Sequence, residues 1–471
     1  MPEVFQGSPG DSWDVHEPLR WWTGFQDPTL DRLIDSVLAA NLDLVEAVAR
    51  VEEVRAQAGI AWADLFPSLQ AGSEASYASQ PANTGIGGAF RGLAGDSASG
   101  GGRPSLDRFA FTTYSASLGF SWELDFWGRA RNEHRAATAD LLASTADLHA
   151  ARLAVLSETI STYFEMVQLR RQVALTAEIV SVLQEREELT ERRYDRGLVT
   201  SLELYQVRLD LRSAQATLPT LEARLTDVRG RLAVLTGRHP GQIEPLLPEA
   251  GSPVPFVEPI GAGIPADLLL QRPDVRASAE RLQAARYRVG ARKAQLLPSL
   301  SISGSVGQQS GDVPGLFDAG QWFTNLLAGV SAPIFQAGRL RSNVEAAEAQ
   351  HLQAATAFGR AVLTSVAEVE SALAAYRAQS ERHAFFEDQV EEARSTTDLS
   401  ARRYASGVAG YADYLDALRQ LLSVRSSQAT VATELALARL SVHRALGGGW
   451  TEDPRAPALD LDPADEVEQG R

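Results

Sequence analysis

The chain contains no cysteine. A disulfide framework, a thiolate nucleophile and a Cys-ligated zinc site are therefore excluded. It also lacks a long unbroken apolar run. A membrane-spanning helix needs roughly 20 mostly apolar residues, and every candidate stretch here is broken by Arg, Glu, Asp or Gln. Positive charge is in the minority: 44 basic against 60 acidic side chains, a net charge of −16. That balance argues against nucleic acid as a partner, since such a surface needs clustered positive charge. The start, Met1-Pro2-Glu3-Val4-Phe5, has neither a basic n-region nor an apolar h-region, so no signal peptide is expected there. His16, His134, His149, His239, His351, His383 and His443 stand at no metal or catalytic spacing, and no GxSxG or P-loop string occurs. The sequence therefore predicts no enzyme, no catalytic residue, no metal and no cofactor. Glu158 and Glu368 are expected to be solvated helix carboxylates.

What the chain does contain is a copy of itself. Arg192-Arg193-Tyr194-Asp195-Arg196-Gly197 returns as Arg402-Arg403-Tyr404-Ala405-Ser406-Gly407, 210 positions later (402 − 192). The same offset pairs Trp127-Gly128-Arg129 with Ala337-Gly338-Arg339, and Leu235-Thr236-Gly237 with Ala445-Leu446-Gly447. Upstream, Phe66-Pro67-Ser68-Leu69 matches Leu297-Pro298-Ser299-Leu300 at an offset of 231 (298 − 67). The first copy thus holds 21 extra residues (231 − 210). Such a repeat fixes the architecture before any other inference.

Each copy reads as helix, strand, loop, strand, very long helix, tip and returning helix. The expected organisation is an N-terminal segment 1–27, repeat 1 over 28–240, a linker 241–263, repeat 2 over 264–449 and a tail 450–471. The first helix is predicted over about 28–64, where Leu30, Leu33, Ile34, Val37 and Leu38 recur at helical spacing and Pro67 marks the end. Alternation of period two predicts strands at about 68–78, 112–124, 298–307 and 322–335, with Ile334 continuing the apolar face of the fourth. Residues 79–110, rich in Gly and Ser, read as a loop. After Gly128, Leu153, Leu156, Ile160, Tyr163 and Val167 take heptad spacing, as do Val362, Val366, Val369, Leu373 and Tyr376. No Pro or Gly interrupts 129–196, a helix roughly 100 Å long at 1.5 Å per residue.

The strands have unlike faces. Tyr114, Ala116, Leu118, Phe120, Trp122 and Leu124 line one side; Thr113, Ser115, Ser117, Gly119, Ser121 and Glu123 line the other. A small, Ser-rich polar face with Tyr and Trp at the ends of the apolar one is the pattern of a membrane β-barrel. Four strands cannot close a barrel, and an open edge is not tolerated in lipid. Several chains must therefore contribute strands; two, three or four would give 8, 12 or 16. A coiled-coil protein without a pore would explain the heptads but not the four strands.

The chain resembles the outer-membrane factor family of TolC/OprM-type efflux channels, and within it the OprM/NodT lipoprotein branch. The residues that carry the likeness are Trp122-Glu123-Leu124-Asp125-Phe126-Trp127-Gly128-Arg129, Ile264-Pro265-Ala266-Asp267-Leu268-Leu269-Leu270-Gln271-Arg272-Pro273-Asp274, Gly315-Leu316-Phe317-Asp318-Ala319-Gly320 and Ala445-Leu446-Gly447-Gly448-Gly449-Trp450. The resemblance implies a mixed α and β membrane protein with four strands and long coiled helices per protomer. It implies a homotrimer, with a 12-stranded outer-membrane β-barrel on a 12-helix periplasmic α-barrel. It implies a Gram-negative outer-membrane location extending into the periplasm, a periplasmic adaptor, an inner-membrane RND-type pump and drugs or other small toxic molecules as cargo. Metal-ion efflux and type I protein secretion are the family's other uses. Members of this branch carry a lipidated cysteine at the mature N-terminus. Here either that anchor has been removed, with Met1 in its place, or this member has none.

The tips are the candidate site. At Gly197-Leu198-Val199-Thr200-Ser201 and Gly407-Val408-Ala409-Gly410, glycine ends one helix and a cap opens the next. The resemblance makes these the adaptor-docking turns. Just inside the second tip lie Asp413, Asp416 and Arg419, with Tyr404 and Tyr414 beside them. Spacing alone puts Asp416 and Arg419 on one helix face; the resemblance makes the group a periplasmic gate. Ala412 departs from the family, which has a bulky apolar residue there, leaving Tyr411 or Tyr414 to fill the constriction. The first copy has Glu203, Gln206 and Leu209 at the matching positions, so the charge pattern is expected to differ between tips.

Overall fold

Residues 20–81, 108–247 and 272–448 are described in a computed structural model. The Ile264–Gln271 string, most of the expected linker, the tail and the centre of the Gly-rich segment lie outside these residues.

Four antiparallel strands form one sheet in the order β1 (Ser68–Pro81), β2 (Arg108–Leu124), β3 (Ser299–Ser310), β4 (Trp322–Ser331). The register keeps the faces apart. Ala71 lies opposite Leu118, Leu118 opposite Val306, and Val306 opposite Thr324. On the other face Gly72 meets Ser117, Ser117 meets Gly307, and Gly307 meets Phe323. Both hairpins have one register: Ser68 opposite Ser121 becomes Ser299 opposite Ser331 under the two repeat offsets. Among the described residues no strand lies beside the outer edge of β1 or of β4.

Two strand boundaries differ from expectation. The β1–β2 ladder runs on from Tyr77 opposite Thr112 to Pro81 opposite Arg108. Its cross-strand pairing recruits residues whose composition reads as loop. β4 stops at Ser331, because Pro333 offers no N–H to a ladder. Ile334 and Phe335 lie beyond it, both exposed.

The expected first helix is two: α1 (Pro28–Ala40) and α2 (Leu42–Ala63). Asn41 between them is buried and extended (φ −69°, ψ 127°). Its Oδ1 accepts the Leu44 N–H at 3.0 Å and its Nδ2 donates to the Leu235 carbonyl at 2.9 Å. Those bonds repay the loss of helical geometry, which apolar periodicity cannot reveal. The long helices follow as α3 (Arg129–Asp195), α4 (Ser201–Leu235), α5 (Pro273–Ala294), α6 (Arg339–Ala405) and α7 (Tyr411–Leu446). No described helix is long and apolar enough to cross a membrane.

The turn into α3 explains one of the strings quoted above. The Asp125 carboxylate accepts the Ala130 and Arg131 N–H groups at 3.1 and 2.8 Å, satisfying two of the orphan donors of the first turn. Trp122 Nε1 donates to the Leu65 carbonyl at 3.0 Å, and Trp127 Nε1 to the Pro298 carbonyl at 2.7 Å.

The chain divides into two compact units, and each takes parts of both repeats. One comprises Met1–Glu53, Leu141–Arg281 and Ala354–Arg471; the other Val54–Asp140 and Leu282–Gln353. The sheet belongs to the second. In the first, the predicted stripe Leu153, Leu156, Ile160, Tyr163 and Val167 is buried among Trp21, Trp22, Phe25 and the α1 residues Leu30, Leu33, Ile34 and Val37. The equivalent stripe of α6 is less covered: Val369 is buried, while Val366, Leu373 and Tyr376 are half-buried.

Glycine is required where α4 ends. Gly237 has φ +64°, and a Cβ there would stand 2.5 Å from the Ala40 carbonyl oxygen. Gly237→Ala is expected to destabilise by more than the ~1–2 kcal/mol that the left-handed backbone alone costs. Gly230, in the α4 interior, has open space around its Cβ position, so Gly230→Ala should gain roughly 0.4–1 kcal/mol. Thermal melts of the helical signal in detergent compare them. Equal midpoints for the two variants would refute the packing account.

Candidate functional site

The two tips share a backbone solution. Gly197 (φ +67°) and Gly407 (φ +73°) close α3 and α6 in the left-handed region. Their N–H groups bond the Tyr194 and Tyr404 carbonyls at 2.8 and 2.9 Å, and the next N–H groups, of Leu198 and Val408, reach Arg193 and Arg403 at 2.9 and 3.0 Å. Orphan carbonyls at both helix ends are thereby satisfied. Leu198 and Val408, equivalent in the repeat, are both exposed apolar side chains on these turns. Val199 and Ala409 are half-buried beside them, and Thr200, Ser201 and Gly410 are exposed.

The returning helices are capped differently. Thr200 Oγ1 accepts the Glu203 N–H at 3.4 Å to open α4. At the second tip glycine has no such oxygen. There the Asp413 carboxylate reaches back and accepts the Gly410 N–H at 3.0 Å. Asp413 is thus occupied in holding the start of α7.

Asp416 and Arg419 each reach across to a first-repeat helix. The Arg186 guanidinium on α3 donates to Asp416. Arg419 Nη1 lies 3.4 Å from Asp210 on α4. The two links join hairpin to hairpin, with an acid and a base on each side. Spacing along α7 could place these two side chains on a face but could not name Arg186 or Asp210, which come from another part of the chain. All four groups are partly exposed, so each link is worth roughly 0.2–1 kcal/mol. Arg208 instead joins α4 to α3 within the first hairpin, at 2.9 Å from Glu187 and 2.6 Å from Glu191.

Beside these links stand three tyrosines. Tyr404 and Tyr411 have ring centroids 4.9 Å apart, and Tyr411 and Tyr414 5.8 Å. Burial and the adjacent Glu185 carboxylate push the Tyr411 hydroxyl above its ordinary range, so it stays protonated and bonded to Glu185. Tyr411 and Tyr414 also pack against Leu175, Val182, Leu415 and Leu422, an apolar seam between α3 and α7.

One group carries more structure than its sequence suggested. Arg272 is buried; its guanidinium bonds Asp274 at 2.8 Å, Glu368 at 2.7 Å and the Ala445 carbonyl at 2.7 Å. Glu368 is therefore an ion-pair partner and not merely a solvated carboxylate. Glu158, its counterpart, lies 3.9 Å from Arg231. Arg272 and Ala445 are the repeat equivalents of Asn41 and Leu235. The same carbonyl is met by an amide in one copy and a guanidinium in the other, a correspondence visible only once both offsets are applied. Among the described residues no group of His, Asp and Glu is arranged to hold a metal ion.

Comparison with known proteins agrees with this architecture. The family model described as Outer membrane efflux protein matches residues 33–238 and 264–448. The chain is 33% identical to the pyoverdine export outer membrane protein OpmQ of Pseudomonas putida, covering 92% of this chain and 89% of that protein. It is 30% identical to the solvent efflux pump outer membrane protein SrpC of Pseudomonas putida, covering 91% and 87%. The crystal structure of the Campylobacter jejuni CmeC outer membrane channel superposes with a TM-score of 0.83 at 25% identity, covering 99% of this chain and 94% of that one. With both repeats matched and the fold shared, the chain belongs to the outer membrane efflux protein family.

Proposed function

We propose that this outer-membrane efflux protein works as a homotrimer. Three copies of the four-stranded sheet would close a 12-stranded barrel in the outer membrane. Their long hairpins would form a 12-helix periplasmic tunnel. The observation that supports this is the sheet itself: two outer edges with no strand beside them among the described residues, one apolar face and one Ser-rich face. Lipid does not tolerate the edges, and only closure removes them.

The cargo class follows from the relatives, whose names specify pyoverdine and solvents. Small organic molecules, passed from an RND-type inner-membrane pump through a periplasmic adaptor, fit a passive exit duct. Gly197–Ser201 and Gly407–Gly410 would be the turns that the adaptor grips, with Leu198 and Val408 as exposed apolar contacts. Asp416–Arg186 and Arg419–Asp210 would hold the hairpins together at the closed periplasmic entrance, with Tyr404, Tyr411 and Tyr414 as its apolar part. Asp413 would support the gate by capping α7.

Light scattering of the detergent-solubilised protein, corrected for bound detergent, should give three chains. A monodisperse single chain that needs no detergent would sink the barrel reading.

A further inference from the structure

The two junctions where a strand passes into a long helix are repeat equivalents, yet their charges are balanced differently. At the first, between β2 and α3, two arginines are each met by an acid. Arg129 Nε lies 3.0 Å from the Glu123 carboxylate, and Arg131 Nε 3.1 Å from that of Asp125. At the second, between β4 and α6, the arginines recur 210 positions on (339 − 129) as Arg339 and Arg341, but the acids do not. Glu123 becomes Pro333 and Asp125 becomes Phe335. Arg339 donates to the Gln336 amide oxygen instead. Both arginines are exposed, and among the described residues no carboxylate forms an ion pair with either. Glu345, four residues beyond Arg341, is exposed and makes no such pair.

Apolar surface stands where the acids are missing. Phe335 takes the position of Asp125, and Ile334 that of Leu124. Leu124 is half-buried, whereas Ile334 is 98% exposed and Phe335 86%. The backbone differs as well. Trp127, whose indole ties the first junction to the Pro298 carbonyl, becomes Ala337, which sits in the left-handed region at φ +48°. Residues other than glycine seldom adopt that conformation, and such outliers cluster at binding sites, where the surroundings hold them.

Two guanidinium groups without acids and two exposed apolar side chains, all within residues 334–341, suit an anion that is joined to hydrocarbon. We propose that this junction binds an anionic phospholipid of the outer membrane, with its phosphate at Arg339 and Arg341 and its acyl chains on Ile334 and Phe335. The first junction shows the reach required, since there the equivalent guanidinium groups extend to carboxylates at positions 123 and 125. The lipid phosphate supplies the negative charge that those carboxylates supply in the first copy, and arginine suits it as a planar, permanently charged donor. The place in the fold agrees. β4 ends at Ser331, so the patch directly follows the membrane sheet, at the end where strands pass into helices. In the barrel proposed above that end faces the periplasm, and the choice of the periplasmic leaflet rests on that reading.

A neighbouring chain is the rival occupant. A cavity of about 310 Å³ at the first junction is lined by Glu123, Asp125, Arg129, Gln295 and Gln336 among others. The repeat equivalent of Gln295 is Asp64 (295 − 231), an exposed acid that a second copy would bring toward Arg339. One carboxylate against two guanidinium groups leaves a positive charge over, and it offers nothing to Ile334 and Phe335. A phospholipid meets both the charge and the apolar pair, since arginine stems lie along apolar surface while their heads reach the phosphate level.

Native mass spectrometry of the whole protein, released from detergent after incubation with equal amounts of dioleoyl-phosphatidylglycerol and dioleoyl-phosphatidylethanolamine, tests this and reads the subunit number at once. The wild type should retain phosphatidylglycerol in preference. A basic side chain near an anionic lipid surface is worth about five-fold in binding, so the pair should give at most about 25-fold. Arg339→Gln/Arg341→Gln should bring the ratio close to one, while Arg339→Lys/Arg341→Lys should keep most of it. Arg360→Gln/Arg377→Gln removes the same charge from exposed positions farther along α6 and should change nothing. Ile334→Ser/Phe335→Ser should lower retention of both lipids and preserve their ratio. Equal retention of the two lipids by a wild type of three-chain mass overturns the lipid site and leaves the oligomer standing. A single-chain mass overturns the oligomer, and a phosphatidylglycerol preference kept there still supports the site. Displacement of the lipid by millimolar glycerol 3-phosphate would make this a site for the anion alone and overturn the proposal. So would dissociation of Arg339→Gln/Arg341→Gln into single chains, which would assign the arginines to a neighbouring copy.

Discussion

Arg272→Ala should be among the most damaging single substitutions in the helical part of the chain. The side chain is buried and makes four bonds of 2.7–3.0 Å, two to Asp274, one to Glu368 and one to the Ala445 carbonyl. A hydrogen bond involving a charged group contributes about 1.5–3 kcal/mol. Asp274 and Glu368 are each half exposed, so water can replace part of what the guanidinium supplies. The Ala445 carbonyl, at the end of α7, has no such recourse. A net loss of about 2–3 kcal/mol is expected on these grounds. Arg272→Lys keeps the charge but loses the planar fork that serves three acceptors at once, and should recover less than half of the loss. Melting of the helical signal in detergent measures both; a midpoint unchanged in Arg272→Ala would show the network to be incidental.

The same group sets a direction with pH. Burial pushes the Asp274 carboxyl upward, but the Arg272 guanidinium more than offsets this and holds it below the usual carboxylate range. A depressed folded pKa means that the contribution is complete above the unfolded value of about 3.9 and is lost as pH falls through the folded one. Wild type should therefore lose this part of its stability only below about pH 4. Arg272→Ala should show a flatter loss in that window.

Asp416→Ala together with Arg419→Ala should raise single-channel conductance in planar bilayers. Each inter-hairpin link is worth little alone, roughly 0.2–1 kcal/mol. In the proposed trimer six links must release together, so their sum reaches about 1–6 kcal/mol. Displacing a two-state equilibrium from 1:99 to 99:1 takes about 5.5 kcal/mol. Removing all six therefore raises the open fraction by several-fold at the bottom of that range and opens a nearly closed entrance at the top of it. Arg208→Ala is the control: it breaks the contacts with Glu187 and Glu191 inside the first hairpin and should leave conductance unchanged. If both variants conduct alike, the links do not gate.

The repeated architecture was readable because it rests on local patterns. The long helix is predicted over 129–196 and ends at Asp195, since one glycine and an unbroken heptad define it. Leu153, Leu156, Ile160, Tyr163 and Val167 are all buried as their spacing requires. What periodicity missed depends on distant partners. Asn41 breaks a helix because the Leu235 carbonyl waits 194 residues away. Strands β1 and β2 extend into a Gly-rich stretch because each supplies the other's ladder. Asp416 and Arg419 were visible as charges near a tip, while their partners Arg186 and Asp210 became visible only in three dimensions.

The bare edges of β1 and β4 also set a time limit on the newly made chain. In the proposed trimer the outer edges of these two strands would stay available to a passing strand until two sister chains arrive. Encounter among sisters depends on concentration, whereas capture by a wrong strand depends on whatever else is unfolded nearby. Slow synthesis should therefore favour loss over assembly, and a periplasmic holdase that shields extended segments would raise yield without altering the finished channel.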